Sequence, residues 1–149
     1  MNFACDRAAP LASCTDDLRG VYVVDPGTAT EAPGDERRWM LLDHRVTLEA
    51  YPLFDDRDRA VPGLEIAPRV LDLRREGESL AGEMRRRYLR GADRCEARTA
   101  VRITSCRGTT LELVLADPVA PTGFQPCTWG TPATSRRERW SRIANTAVD

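Results

Sequence analysis

The chain has 149 residues, 42% of them apolar and 30% charged, which is the size and balance of one soluble globular domain around a single core. Its formal net charge of −1 excludes a general nucleic-acid binder, which carries a large basic excess. No apolar run approaches the roughly 18 residues of a membrane-spanning helix.

The N-terminus, MNFACDRAAP, lacks the apolar stretch of roughly 7–15 residues that a signal peptide needs. If the protein is exported, a leader is therefore expected to have been removed. Residues 1–16 read as a flexible N-terminal segment and 17–149 as one β-domain. Every one of the 22 basic residues is arginine, a bias that a GC-rich bacterial genome produces without selection for planar anion-binding groups.

Taken in chain order, a period near two dominates and no segment carries a helical stripe. LRGVYVVD predicts a first strand over 18–25, followed by the Pro/Gly-rich loop PGTATEAPGD. RWMLLDHRVTLEAY predicts a hairpin of strands 37–43 and 45–51 turning at Asp43-His44. Residues 52–68 read as a long loop. Strands at 69–75, 80–90, 94–105 and 110–117 follow, separated by turns that carry Gly or Asp. After an irregular Pro/Gly-rich stretch from Pro118 to Pro132, SRRERWSRI fits a short helix or, better for its length and its Trp140, a last strand over 136–143.

Eight antiparallel strands in succession predict an all-β fold, an up-and-down β-barrel, which removes the open edges of a flat sheet. Alternation assigns Leu71, Leu73, Leu80, Met84, Tyr88, Ala97, Val101, Ile103, Leu111, Leu113 and Leu115 to the interior. Glu83, Arg85, Arg87, Glu96, Arg98, Arg102 and Glu112 fall on the solvent face.

The five cysteines, Cys5, Cys14, Cys95, Cys106 and Cys127, include no Cys-x-x-Cys pair, and His44 is the only histidine. Zinc ligands cluster at short spacings, so no metal or other cofactor is expected, and scattered cysteines in a β-rich chain read as disulfides of an exported protein. Cys95 and Cys106 lie at opposite ends of one strand, about 36 Å apart at about 3.3 Å per residue, whereas bonded cysteines need Cα atoms about 5–6 Å apart. In a meander, Cys95 and the loop holding Cys127 share the upper end of the barrel. Cys14 and Cys106 share the lower end. The expected pairs are Cys95–Cys127 and Cys14–Cys106.

The leftover Cys5, ahead of the spacer DRAAPLAS, resembles the lipid-bearing first residue of a mature bacterial lipoprotein. LASC matches the lipobox as letters, but cleavage there would remove Cys5 and leave Cys14 as the anchor. An anchor on Cys5 is the expected membrane connection.

LRGVY (Leu18 to Tyr22) resembles the opening strand of the lipocalin-like, or calycin, barrels, where a glycine precedes a large aromatic by two positions. The resemblance implies that Gly20 and Tyr22 share the inward face and that Tyr22 plugs the base. It also implies an arginine against that ring, with Arg139 or Arg142 of RERWSR as candidates. A long loop after the first strand belongs to the same pattern.

Alternation turns Arg86 inward with Met84 and Tyr88, where an arginine needs a partner and can hold a ligand carboxylate or phosphate. An internal acid is the other partner expected for it. FDDRD, Phe54 to Asp58, offers oxygen ligands for calcium but lacks the rest of such a site and reads as a solvated loop. His44 has no nucleophile beside it, no G-x-S-x-G elbow exists, and no catalytic residues are expected.

The leading expectation is a monomeric, non-enzymatic, exported barrel binding a small hydrophobic or amphipathic ligand through Tyr22, Met84, Arg86, Tyr88 and Leu113. The alternative is a filled barrel acting on a protein partner, as an interaction or enzyme-inhibitor module, through loops 26–36, 52–68 and 118–135.

Overall fold

The structure, a computed structural model, describes residues 10–25, 37–54 and 62–145. Its strands are β1 (Gly20–Val24), β2 (Arg38–Asp43), β3 (Thr47–Pro52), β4 (Glu65–Ile66), β5 (Val70–Glu76), β6 (Ser79–Arg90), β7 (Asp93–Arg107), β8 (Thr110–Leu115), β9 (Gly123–Phe124), β10 (Cys127–Thr128) and β11 (Arg136–Ala144). β1, β2, β3, β5, β6, β7, β8 and β11 pair antiparallel in that order, and β11 pairs back onto β1 to close an eight-strand barrel. These are the expected strands with their ends adjusted, and the last segment is a strand.

Alternation works because the barrel has one dry side. Leu71, Leu73, Leu80, Met84, Val101, Ile103, Leu111, Leu113 and Leu115 enter one core cluster together with Leu18, Tyr22, Trp39, Leu41, Leu48 and Trp140. Each fully buried aliphatic side chain of this kind contributes about 1.5–3 kcal/mol. Gly82 lies on the inward parity of β6, where a Cβ would sit 1.9 Å from the Asp72 carbonyl oxygen and 2.8 Å from Leu73 Cα. Only glycine lets β5 and β6 approach so closely there.

Three elements fell inside stretches read as loop. β4, β9 and β10 all lie at the upper end, where the β6–β7 hairpin outgrows its neighbours. β5 pairs with β6 up to Arg85, and β4 continues the pairing at Leu89 and Tyr88. Between Ile66 and Val70 the chain advances four residues while β6 advances only three, from Tyr88 to Arg85. This is a one-residue bulge containing Pro68, whose missing N–H is tolerated there. Ile66, Tyr88, Cys95, Ala97 and Phe124 form a second, smaller core above the first.

Both expected disulfides are present. Cys14–Cys106 closes the lower end and Cys95–Cys127 the upper, with Cα–Cα distances of 5.0 and 5.8 Å. From Pro10 onward the N-terminal segment packs against the lower end of the barrel. Leu11 and Gly108 exchange backbone hydrogen bonds of 2.7 and 2.8 Å, the Asp16 carboxylate accepts the Ala12 and Ser13 N–H groups at 2.7 and 3.0 Å, and Leu11, Cys14 and Leu18 belong to the main core. Of the residues 1–16 read as a lead-in, Leu11 and Cys14 are thus part of the barrel's core. Cys5 lies outside the described residues.

Candidate functional site

The lower end is sealed by charge. Arg75 continues the inward parity of Leu71 and Leu73, and its guanidinium meets Asp43 through two 2.8 Å hydrogen bonds. Their side chains are 13% and 3% exposed. Arg75 also donates to the carbonyls of Cys14, Arg45 and Asp16, and Asp43 accepts the N–H groups of Leu18 and Arg45. Burial alone would push the Asp43 carboxyl up. The Arg75 hydrogen bonds and the two backbone donors outweigh it and hold the group below the usual aspartate range.

Tyr22 stands over this floor and donates its hydroxyl to the Leu18 carbonyl at 2.6 Å. Burial pushes its phenol well above the ordinary tyrosine value. Arg142, directly across the β1–β11 ladder from Tyr22, donates to the carbonyls of Asp17 and Arg19. A Cβ on Gly20 would lie 2.7 Å from the Arg142 Cδ and 2.5 Å from the Ala144 carbonyl oxygen, so Gly20 makes room for this arginine. Arg139, the other candidate, faces Glu112 on the outside.

Above the floor, rings fill the barrel. Tyr22, Trp140, Trp39 and Phe54 form a chain of contacts with centroid separations of 6.3, 5.1 and 6.4 Å. Met84 and Leu113 pack in the same cluster, each 1% exposed. Tyr88 belongs to the upper core instead, and its hydroxyl donates to the Pro118 carbonyl at 3.2 Å. Arg86, between the two cores and 7% exposed, donates Nε to the Ala67 carbonyl at 2.8 Å. That carbonyl lies in the bulge. The five residues expected to line a ligand site are therefore all buried, four of them divided between the two clusters with Arg86 between, and those with polar heads hydrogen-bond to the chain's own backbone.

A polar layer crosses the barrel at the level of the upper rim, and the sequence reading had not singled it out. The bulge reverses the parity between Ile66 and Leu71 and turns Arg69 inward, 5.3 Å over the Trp39 ring. Arg69 binds Asp117 at 3.1 Å, Arg136 binds Asp117 at 2.8 Å and Glu138 at 2.9 Å, and Trp140 Nε1 donates to Glu138 at 2.8 Å. Burial would lower Arg136, but the two carboxylates overcome it and raise its pKa. Arg136, Glu138 and Trp140 recur every second residue on the inward face of β11, which was the available signal. With two cations against two carboxylates, the layer is internally balanced.

The connection from β8 to β11 carries a different chemistry. Between Asp117 and Arg136 no residue is charged: PVAPTGFQPCTWGTPATS. Its β9–β10 hairpin, with a cis Gln125–Pro126 bond, is fixed to β7 by Cys95–Cys127. Thr122 and Thr128 bond through N–H to carbonyl at 2.7 Å and through their hydroxyls at 2.9 Å. Trp129 follows directly and is 46% exposed.

His44 pairs with Glu49 at 3.2 Å in an exposed turn. The aspartates of FDDRD lie outside the described residues, and among the described residues no group of His, Cys, Asp or Glu side chains is arranged to hold a metal ion. Comparison with protein families, curated proteins and solved structures gives no match for this chain.

Proposed function

We propose that the protein is a non-enzymatic, exported interaction module whose barrel is a solid scaffold and whose working surface is its upper-end loops. The observation that carries this reading is the use already made of the inward side chains. The rings and aliphatics pack on one another, and Tyr22, Arg86 and Tyr88 hydrogen-bond to backbone carbonyls of the same chain. A small hydrophobic or amphipathic ligand, the other reading, would have to displace that packing, and removing even one large core side chain from its contacts costs about 2–5 kcal/mol. The two disulfides are compatible with an extracellular or periplasmic location. The proposal includes a lipid anchor on Cys5. The chain enters the barrel at its lower end, where Leu11 pairs with Gly108, so an anchor before it leaves the opposite end facing away from a membrane.

Titration with the apolar fluorophore N-phenyl-1-naphthylamine, monitored together with the methyl NMR signals of Met84 and Leu113, tests the scaffold reading. No saturable binding and no methyl shifts are expected. One-to-one binding with shifts at those methyls would return the barrel to the class of ligand carriers.

A further inference from the structure

We propose that Cys95–Cys127 is a releasable latch, opened by thiol–disulfide exchange with an external dithiol while Cys14–Cys106 stays closed, so that the β9–β10 hairpin is freed from an intact barrel. The inference adds a control to the upper-end surface proposed above and rests on that reading for its purpose. Its chemistry stands on the two bonds themselves.

The disulfides differ in what surrounds them. Cys14 and Cys106 are 7% and 5% exposed and belong to the main core, and the buried Arg75 guanidinium donates to the Cys14 carbonyl. Reaching that bond requires the lower end to open. Cys95 is equally sealed, at 2% exposed, but its partner Cys127 is an exposed residue of β10. A thiolate in solvent therefore has access to the upper bond from the Cys127 side, and access separates labile disulfides from structural ones.

What each bond holds differs as well. Neither Cys95 nor Cys127 belongs to the main core. β6 and β7 pair from Leu80–Ile103 up to Arg90–Asp93, and β8 and β11 pair below the connection that carries Cys127. The bond thus ties the β9–β10 hairpin to a wall built from its own ladder. Among the described residues the hairpin has two further side-chain ties. Phe124 sits in the five-residue upper core with Arg90 4.7 Å over its ring, and Gln125 donates to Asp93. Contacts so few persist because the covalent tether keeps them together. Once it is cut, Phe124 leaves its seat, Ile66, Tyr88 and Ala97 are uncovered, and the uncharged connection PVAPTGFQPCTWGTPATS is released.

In the exchange, one sulfur of the dithiol attacks Cys127 Sγ as a thiolate, the Cys95–Cys127 bond breaks, and the Cys95 sulfur leaves and takes a proton, since burial disfavours its charged form. The second sulfur then displaces Cys127 from the mixed disulfide. The products are two protein thiols and one oxidised dithiol.

The test places the full disulfide-bonded chain in dithiothreitol at neutral pH without denaturant, quenches samples with iodoacetamide at intervals and maps the labels by peptide mass. Cys95 and Cys127 are expected to be alkylated roughly 100-fold sooner than Cys14 and Cys106, the gap between a bond attacked in place and one that waits for the structure to open. At that stage the NMR signals of the Ile66 methyls and the Phe124 ring should shift, and the methyls of Leu71 and Leu113 should not. The paired variant Cys95→Ser with Cys127→Ser should show the same shifted signals without any reductant. Opening of both bonds at one rate, resistance of both, or unmoved Ile66 and Phe124 signals after selective reduction would each overturn the proposal. So would a general loss of the Leu71 and Leu113 signals. The fluorophore titration is read on the oxidised chain, so a failed latch and a failed scaffold reading give different results.

Discussion

Replacing Asp43 with alanine tests whether the lower end is held by its buried charge pair. The substitution removes two 2.8 Å charge-assisted hydrogen bonds to Arg75 and strips the Leu18 and Arg45 N–H groups of their acceptor. It leaves a guanidinium whose side chain is only 13% exposed without its counter-charge. Breaking one partner of a buried pair costs about 3–5 kcal/mol, and retained hydrogen bonds from Arg75 to three carbonyls argue for the lower half of that range. At about 2–4 °C per kcal/mol for a domain near this size, the melting temperature should fall by about 10 °C. Urea denaturation with disulfides intact measures it. Because the Asp43 carboxyl is held below its ordinary value in the fold, its stabilisation is present above the unfolded aspartate pKa of about 3.9 and is lost as pH falls below it. The parent should therefore lose stability more steeply below about pH 4 than Asp43→Ala does. A double replacement, Asp43→Leu with Arg75→Met, removes the uncompensated charge but also leaves the Leu18 and Arg45 N–H groups and three carbonyls without their partners, so it should recover only part of the loss. A single-variant cost under about 1 kcal/mol would refute the clamp.

The disulfides should differ in weight. By loop-closure entropy, Cys14–Cys106, spanning 92 residues, is worth about 4.6 kcal/mol and Cys95–Cys127, spanning 32, about 3.7 kcal/mol, so paired serine variants should lose stability in that order in chemical denaturation. Tyr22→Phe removes the hydroxyl that satisfies the buried Leu18 carbonyl and should cost about 1–2 kcal/mol at neutral pH by denaturant titration. Since burial raises the Tyr22 pKa, its stabilisation holds below about pH 10 and declines as pH rises beyond, and the phenylalanine variant should show a shallower alkaline decline. Gly82→Ala places a Cβ 1.9 Å from the Asp72 carbonyl oxygen. The β5–β6 ladder should have to separate, with a loss above about 3 kcal/mol and new amide-exchange lability at Leu73. Unchanged exchange there would count against the close approach.

What the sequence made legible is what a single dry side enforces. Leu71, Leu73, Leu80, Met84, Val101 and Leu113 declared their side by parity, and parity together with strand direction was enough to pair Cys95 with Cys127 and Cys14 with Cys106. Polar partnerships were not legible in the same way. Asp43 reads as a turn residue and Arg75 as a strand-end charge. Their meeting depends on β3 bringing positions 32 residues apart together. The inward turn of Arg86 was readable, but its partner is the Ala67 backbone carbonyl rather than a side-chain acid, and a backbone acceptor leaves no letter to find.

Arg69 shows the limit most clearly. Counting by twos from Ile66 places residue 69 on the outside, while counting back from Leu71 places it inside, and the sequence holds both answers until the bulge at Pro68 is known. The bulge exists because β6 runs on past β5 and still needs a partner at Tyr88 and Leu89. Once it forms, it frees a carbonyl for Arg86 and aims Arg69 at Trp39 and Asp117. One inserted residue thus accounts for the inward arginine that the alternation exposed and for the polar layer that it missed. Both are consequences of the long β6–β7 hairpin that also carries Cys95, the anchor of the loop presenting Trp129. Shortening that hairpin would remove the upper core, the bulge and the presented tryptophan together, while the Asp43–Arg75 floor at the far end has no reason to change.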